Sequence, residues 1–152
     1  MEALAKHVMS ELKSENGYVP DAVCLLYCNT PLRRVWHIEQ AVNTMLIFDP
    51  DSVISVQEEL AYCYQHRRHG LAPINRKRRD IRLEREAVYK ENGAIYLTKN
   101  HIIQSDRFLG KTIGHVIMLP EESVKINSAH EHWIAGKIIT QWQDEKELVS
   151  TR

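Results

Sequence analysis

Ala22-Val23-Cys24-Leu25-Leu26-Tyr27, followed at once by Cys28-Asn29-Thr30-Pro31-Leu32-Arg33, is the stretch on which the fold turns. Residues 22–27 form a short, continuous apolar run rich in strand formers, as expected of a strand buried on both faces of a parallel sheet. Thr is a favoured N-cap and Pro a favoured first helical residue, so the spacing predicts a helix starting at Thr30-Pro31. That helix would turn Val35, Ile38, Ala41, Val42, Met45 and Leu46 inward and end at Asp49-Pro50. Residues 52–56, SVISV, read as the next strand. Strand, helix and strand joined by short connections predict a right-handed βαβ unit. Upstream, Ala3, Val8, Met9 and Leu12 recur at helical spacing, and Asn16-Gly17 with Pro20 supplies a stop, which predicts a first helix over 2–15.

The whole chain has 152 residues, 43% of them hydrophobic and 7% aromatic, with 20 Lys+Arg against 20 Asp+Glu. This length fits one compact domain, 1–152, able to bury a core without disulfides or a structural metal. Zero net charge argues against a dedicated polyanion binder, so no nucleic acid is expected. No apolar run is long enough for a membrane span, and the opening residues are amphipathic rather than signal-like, so the expected location is cytoplasmic. Cys24, Cys28 and Cys63 lack CxxC spacing and sit in apolar surroundings, and they read as reduced, packed thiols.

Beyond residue 58 the periodicity weakens. Arg67, Arg68, Arg76, Lys77, Arg78, Arg79, Arg82 and Arg85 crowd together, so 58–88 reads as an insertion outside the sheet. Residues 93–97 resume a strand, 99–105 read as a short helix, 113–119 as a strand ending at Pro120, and 124–126 as a last short strand. Ser128 can cap a final helix carrying Trp133, Ile134, Ile138, Ile139 and Trp142.

Three places can carry chemistry. Asn29, Thr30 and Arg33 stand at a strand-to-helix junction, where open α/β sheets gather ligands, although a capping Thr and a solvated Arg would give the same pattern. The basic run 67–85 can meet phosphates or carboxylates, or face solvent or another subunit; it contains no aromatic residue on which bases could stack. Asn92-Gly93 offers a donor and an acceptor just before a strand, and is equally an ordinary turn dipeptide. His130 and His132 lie on different helix faces with no Cys or carboxylate cluster beside them, which argues against zinc. The generic phosphate-loop and nucleophile-elbow motifs are absent.

Taken in order over roughly residues 5–140, these segments resemble the acylneuraminate cytidylyltransferase family, the CMP-sialic acid synthetases and their relatives. NTPLRRVWHIEQAV resembles the family's QPTSPLR segment and its helix, and DSVISV resembles its D-S-V-x-S-V strand. Arg82 stands where the family has the arginine of R-Q-x-L-P, and Tyr89–Tyr96 is similar to Y-R-x-N-G-A-I-Y. Phe108 with Gly110-Lys111-Thr112 resembles an aromatic-G-K-T stretch.

The resemblance implies an α/β fold built on a truncated Rossmann-like nucleotidyltransferase sheet, with helices on both faces. It also implies a homodimer formed through 58–88 as a protruding dimerisation arm. It places Arg82, Asn92, Tyr96 and Phe108 around a sugar acid, with Asn29 and Arg33 on the rim. Two departures bear on activity. The family's opening A-R-x-G-S-K-G loop, which holds the CTP phosphates, has no counterpart here. Its magnesium-binding S-x-D-I-D-T is matched by Ser123-Val124-Lys125-Ile126-Asn127-Ser128, so a lysine and an asparagine replace both aspartates. The glutamine of Q-P-T, which helps hold substrate, is also replaced.

The expectation is therefore an incomplete cytidylyltransferase-like protein, inactive alone, with no cofactor of its own and a remnant site for a sugar acid, nucleotide or other anion. Two alternatives stay open. One is an active enzyme, using magnesium to make CMP-sugar and pyrophosphate from CTP and a sugar acid once the absent part is supplied. The other is a purely structural dimeric module.

Overall fold

A computed structural model describes residues 2–74 and 88–150, with backbone only for 144–150. The elements run α1 (Glu2–Asn16), β1 (Ala22–Leu25), α2 (Val35–Phe48), β2 (Ser52–Glu59), β3 (Tyr64–Arg67), β4 (Gly70–Pro73), β5 (Val88–Lys99), α3 (Asn100–Gln104), β6 (Ile113–Ile117), a 3-10 turn (Pro120–Ser123) and α4 (Ala129–Ser150). Four strands form one mixed sheet in the order β1-β5-β2-β6. The long strand β5 is antiparallel to both β1 and β2, whereas β2 and β6 are parallel. β1, β2 and β6 therefore point the same way and β5 runs against them.

This corrects the expectation for β1. It is an edge strand, paired only with β5, and its side chains are half-buried or exposed. β1 and β2 are parallel and joined through α2, but β5 lies between them, so they are not neighbours. The expectation of packed thiols is also corrected: Cys24 and Cys28 are exposed and Cys63 half-buried, and none is in a disulfide.

Helices lie on both faces. On one, Ala41 and Met45 of α2 pack with Val53, Ile95, Leu97 and Val116 of the sheet. On the other, Met9 of α1 and Ile103 of α3 pack with Tyr96 and Phe108. α2 starts later than the Thr-Pro pair predicts. The Thr30 hydroxyl donates backwards to the Tyr27 carbonyl (2.9 Å) and so does not cap. The helix starts where His37 Nδ1 accepts the Arg34 N–H (3.0 Å). The buried face of α2 is His37, Ala41 and Met45, half-joined by Ile38, while Val35, Val42 and Leu46, expected inside, are exposed. Asp49 closes the helix in the left-handed region.

α1 is held lightly. Met9 is its one buried residue, worth about 1.5–3 kcal/mol. Among the described residues the Lys6–Asp106 ion pair, at 2.6 Å, ties it to the turn after α3; such exposed pairs contribute about 0–1 kcal/mol. Ala3 and Val8, whose spacing helped to predict the helix, are exposed. β3 and β4 form a separate hairpin paired only with each other, so this part of 58–88 lies outside the main sheet as expected of an insertion, whereas Glu58 and Glu59 still extend β2 and Val88 begins β5, with Glu59 paired to Val88. Arg82 and the cationic residues around it from Arg76 to Arg85 lie outside the described residues.

The expected strand at 124–126 does not form. The chain turns through Pro120–Ser123, and one backbone bond, Ile126 N–H to Asn29 C=O (2.7 Å), takes its place. Ser128 caps α4 as expected: its hydroxyl accepts the Glu131 N–H (3.3 Å), and Glu131 in return accepts the Asn127 N–H (2.7 Å). Among the described side chains of α4, Ala135 is buried, Ile134, Ile138 and Trp142 are half-buried, and Trp133 and Ile139 are exposed. No helix among the described residues is long and apolar enough to cross a membrane.

Two local constraints make predictions. Asp51 Oδ2 accepts the N–H groups of Lys111 (2.7 Å) and Thr112 (3.1 Å), which brings Gly110 against it. A Cβ on Gly110 would lie 2.0 Å from the Asp51 Cβ. Gly110→Ala is expected to lower unfolding stability by about 2 kcal/mol in urea titration, the scale of an overpacked site. His37 is fully buried, with Nε2 3.2 Å from Glu122 Oε2, and desolvation pushes its pKa down against the pull of that carboxylate. The unfolded chain takes up this proton near the ordinary value of 6.5 and the folded chain only at lower pH, so folding loses stability as pH falls below that value. Melting temperature is expected to fall between neutral and mildly acid pH, and His37→Gln to flatten that slope.

Candidate functional site

The site grows out of a defect in the β2–β5 ladder. Ile54 faces Tyr96 and Val56 faces Glu91, so Ser55 alone on β2 spans residues 92–95 on β5. Asn92 holds this wide bulge from within. Its Oδ1 accepts from the Ser55 hydroxyl (2.6 Å) and the Ala94 N–H (3.1 Å), and its Nδ2 donates to Ser123 Oγ (3.0 Å) and Met118 Sδ (3.3 Å). Ser55 Oγ also accepts the Ile95 N–H (2.7 Å), replacing a lost ladder bond. Asn92 is 6% exposed. All of its hydrogen-bonding directions thus face protein.

Gly93 follows at φ +77, a conformation that side chains disfavour. Its missing side chain leaves a notch where three groups converge. A methyl group built there would sit 3.5 Å from Lys125 Nζ, 3.8 Å from the Tyr27 ring and 3.8 Å from the Tyr96 hydroxyl. Tyr27, Tyr96 and Phe108 form an edge-to-face row with ring centres 5.7 and 5.9 Å apart. The Tyr96 hydroxyl donates to Glu91, and burial together with that carboxylate pushes its pKa up, so it serves as a neutral donor rather than a base.

Two clefts meet at Glu91. One, of about 450 Å³, is lined by Gln57, Lys90, Glu91, Lys125, Asn127 and Glu131, with Asn92 at its base. The other, of about 430 Å³, is lined by Glu91, Tyr96, Arg107 and Phe108 beside Glu2 of α1. The first lies at the carboxyl ends of the parallel strands, where α/β sheets bind ligands.

Three of the six sequence-derived residues, Asn92, Tyr96 and Phe108, are therefore brought to one place, Asn92 as its scaffold and the two rings as its wall. Asn29 borders it through a 3.5 Å contact from Nδ2 to Asn127 Oδ1. Arg33 is turned to the protein: its Nη1 donates to the carbonyls of Tyr27 (2.8 Å) and Thr30 (2.9 Å), bracing the turn after β1. Arg82 is outside the described residues. Sequence reasoning singled out Lys125 at the metal position and missed Glu91 and Tyr27 as lining groups. No family model matches the chain, and no curated protein is significantly similar to it.

The residues at the place where the resemblance implies magnesium do not suit it. Lys125 contributes a cation, Asn127 an amide engaged with Asn29 and the Lys125 carbonyl, and Glu131 a carboxylate already bonded to the Asn127 N–H and the Ser128 hydroxyl. Those bonds hold the Glu131 carboxyl below the ordinary range. Magnesium wants carboxylates free to approach, and a neighbouring ammonium repels it. Among the described residues, no group of three or more His, Cys, Asp or Glu is arranged to hold a metal.

Asn92→Ala would strand the Ala94 N–H and remove a partner from Ser55 and Ser123. It is expected to cost about 2–3 kcal/mol in chemical denaturation, the upper range for a buried polar group left unpaired. Asn29→Ala, at the exposed border, is expected to stay within about 0.5 kcal/mol of the parent.

Proposed function

We propose that the protein is a cytidylyltransferase-like domain that binds a small carboxylic acid, of the sugar-acid class, and does not transfer nucleotide by itself. The observation that carries this reading is the Lys125 ammonium over the bare backbone of Gly93. No hydrogen bond or ion pair engages it among the described residues, and the Tyr27 ring and the Tyr96 hydroxyl flank it. A carboxylate seated there would gain a charge-assisted bond. The hydroxyls of a sugar acid would meet Glu91, Gln57 and Asn127 along the cleft, and the aromatic row offers the apolar wall that small-molecule sites use to orient a ligand.

The same reading takes the transfer step as absent from this chain. Nucleotidyl transfer relies on neutralising and positioning phosphates, and the position expected to grip a cation carries Lys125 and Asn127 instead of acids. The Rossmann-like sheet type and the homodimer belong to this proposal. The dimer draws support from the β3–β4 hairpin, since a lone two-stranded hairpin is marginal in water and Tyr64 and Leu71 stand exposed on it. A cytoplasmic location accords with three unbridged thiols, two of them exposed.

Isothermal titration with sialic acid or a related nine-carbon sugar acid tests the site. Binding is expected, Lys125→Met is expected to weaken it about tenfold or more, equal to about 1.4 kcal/mol, and Lys125→Arg to retain most of it. Absence of binding to the parent protein would overturn the ligand assignment. Pyrophosphate release from CTP, the acid and magnesium by this chain alone would overturn the non-catalytic half. Light scattering at micromolar concentration is expected to report a dimer.

A further inference from the structure

We infer that the outer edge of β6 is an interface for a second copy of this chain, the two β6 strands pairing antiparallel about a two-fold axis at His115. The inference rests on the homodimer of the reading above and names its contact surface, which is β6 with the end of α2 rather than the 58–88 arm.

β6 ends the strand order β1-β5-β2-β6, so among the described residues it has a strand on one side only. Two bonds show which of its backbone groups are left over. The Ser52 N–H donates to the Thr112 carbonyl (3.2 Å), and the Met118 N–H donates to the Val56 carbonyl (2.8 Å). In a strand the N–H and C=O of one residue point to the same side and successive residues alternate, so residues 112, 114, 116 and 118 turn theirs toward β2. Ile113, His115 and Ile117 turn theirs outward, and all three residues are exposed. Free edges are ordinarily blunted by charge, proline or a covering element. Residues 113–119 contain no charged residue and no proline. The opposite edge differs, because the groove beside β1 is bordered by Asp21, Asp49, Lys99 and His101.

The surface flanking β6 is apolar on both faces of the sheet. On the α2 face, Ile47 and Phe48 are 71% and 75% exposed. With Gln40, Asn43 and Thr44 they border a groove of about 390 Å³ that β6 closes at residues 115–117. Residues 40–48 carry no charge either. Val116 packs toward α2, so Ile113, His115 and Ile117 stand on the other face, where the His115 ring meets the exposed Tyr89 ring at 4.9 Å. The exposed parts of Ile47, Phe48, Tyr89, Ile113, Ile117 and Leu119 amount to on the order of 700 Å², close to the roughly 800 Å² that each partner gives to a standard interface.

Symmetry selects a second copy as the occupant. With the axis at His115, the outward residues fall opposite one another: His115 against His115, and Ile113 against Ile117 of the second copy. Each such pair can exchange two backbone bonds, with Cα atoms about 5.5 Å apart. An axis elsewhere along β6 leaves at least one outward residue unpaired, and a one-residue slip sets outward groups against inward ones. A self-complementary contact of this kind satisfies both edges at once, and an uncharged surface meets its own copy without repulsion.

Sedimentation equilibrium of the full chain at micromolar concentration is expected to show a dimer that His115→Glu and His115→Lys each weaken at least tenfold, because like charges then stand directly opposite. An equal mixture of the two variants is expected to recover dimer, since the pair across the axis becomes oppositely charged. Both variants change an exposed side chain and are expected to melt with the parent. The amides of Ile113, His115 and Ile117 are expected to exchange with deuterium at least tenfold more slowly in the dimer than in dilute monomer. Tyr64→Lys combined with Leu71→Lys, on the β3–β4 hairpin, is expected to leave dimer affinity at the parental value. A dimer unchanged by both His115 variants would overturn the inference, and its loss in the hairpin variant would then assign the dimer to the arm. Failure of the mixture to recover dimer, or unslowed exchange at residues 113, 115 and 117, would equally overturn it. A parent chain that stays monomeric would overturn the homodimer and this interface together, leaving the edge to a strand of another protein.

Discussion

The hydrogen bond between the Ser55 hydroxyl and Asn92 is the point from which the rest of this architecture follows. A β ladder interrupted by three extra residues would leave buried N–H and C=O groups without partners, and each costs more than an ordinary hydrogen bond returns. Asn92 and Ser55 together absorb them: one side chain accepts Ala94 N–H, the other accepts Ile95 N–H, and each bonds the other. With those donors satisfied, β5 can kink inside the protein. Gly93 can then be presented without a side chain at the ends of the parallel strands, and the chain after β6 can lay Lys125 across it. Ser123, bonded to the Asn92 amide, fixes that returning segment.

Element existence was largely legible in the sequence, and placement was not. The apolar runs at 22–27, 52–56, 93–97 and 113–119 each became strands, because short β-branched stretches between turn residues have few alternatives. Whether such a strand ends up central or at an edge depends on which distant partner it meets, and Ala22–Leu25 meets only β5. The start of α2 was misplaced for a local reason: a threonine hydroxyl can donate as readily as accept, and Thr30 donates. Capping was read correctly at Ser128, where the Glu three residues on completes a reciprocal pair.

The site was half legible. Asn92, Tyr96 and Phe108 were singled out and do cluster, but the sequence could not show that Asn92 faces inward, since turn asparagines look alike whether they bond ligand or backbone. Arg33 was drawn to the rim by its position and is held by carbonyls instead. Lys125 stood out only as a departure at the metal position; in three dimensions it lies over Gly93, in a cleft that Lys90, Glu91 and Glu131 also line. Asp51-Ser52 and Gly110-Lys111-Thr112 were noticed as separate fragments. Their joint role is structural, sewing one loop to the start of β2 through Asp51 Oδ2 and Ser52 Oγ.

The central position of β5 has a consequence for how the chain is made. Ala22 pairs with Lys99 and Val53 with Leu97, so neither β1 nor β2 can find its antiparallel neighbour until residues 88–99 have emerged from the ribosome. Pairings this remote in sequence carry a large loop-closure entropy, which slows folding. Until then β1 and β2 stay without the strand that joins them into one sheet, and their apolar residues stay open to other contacts.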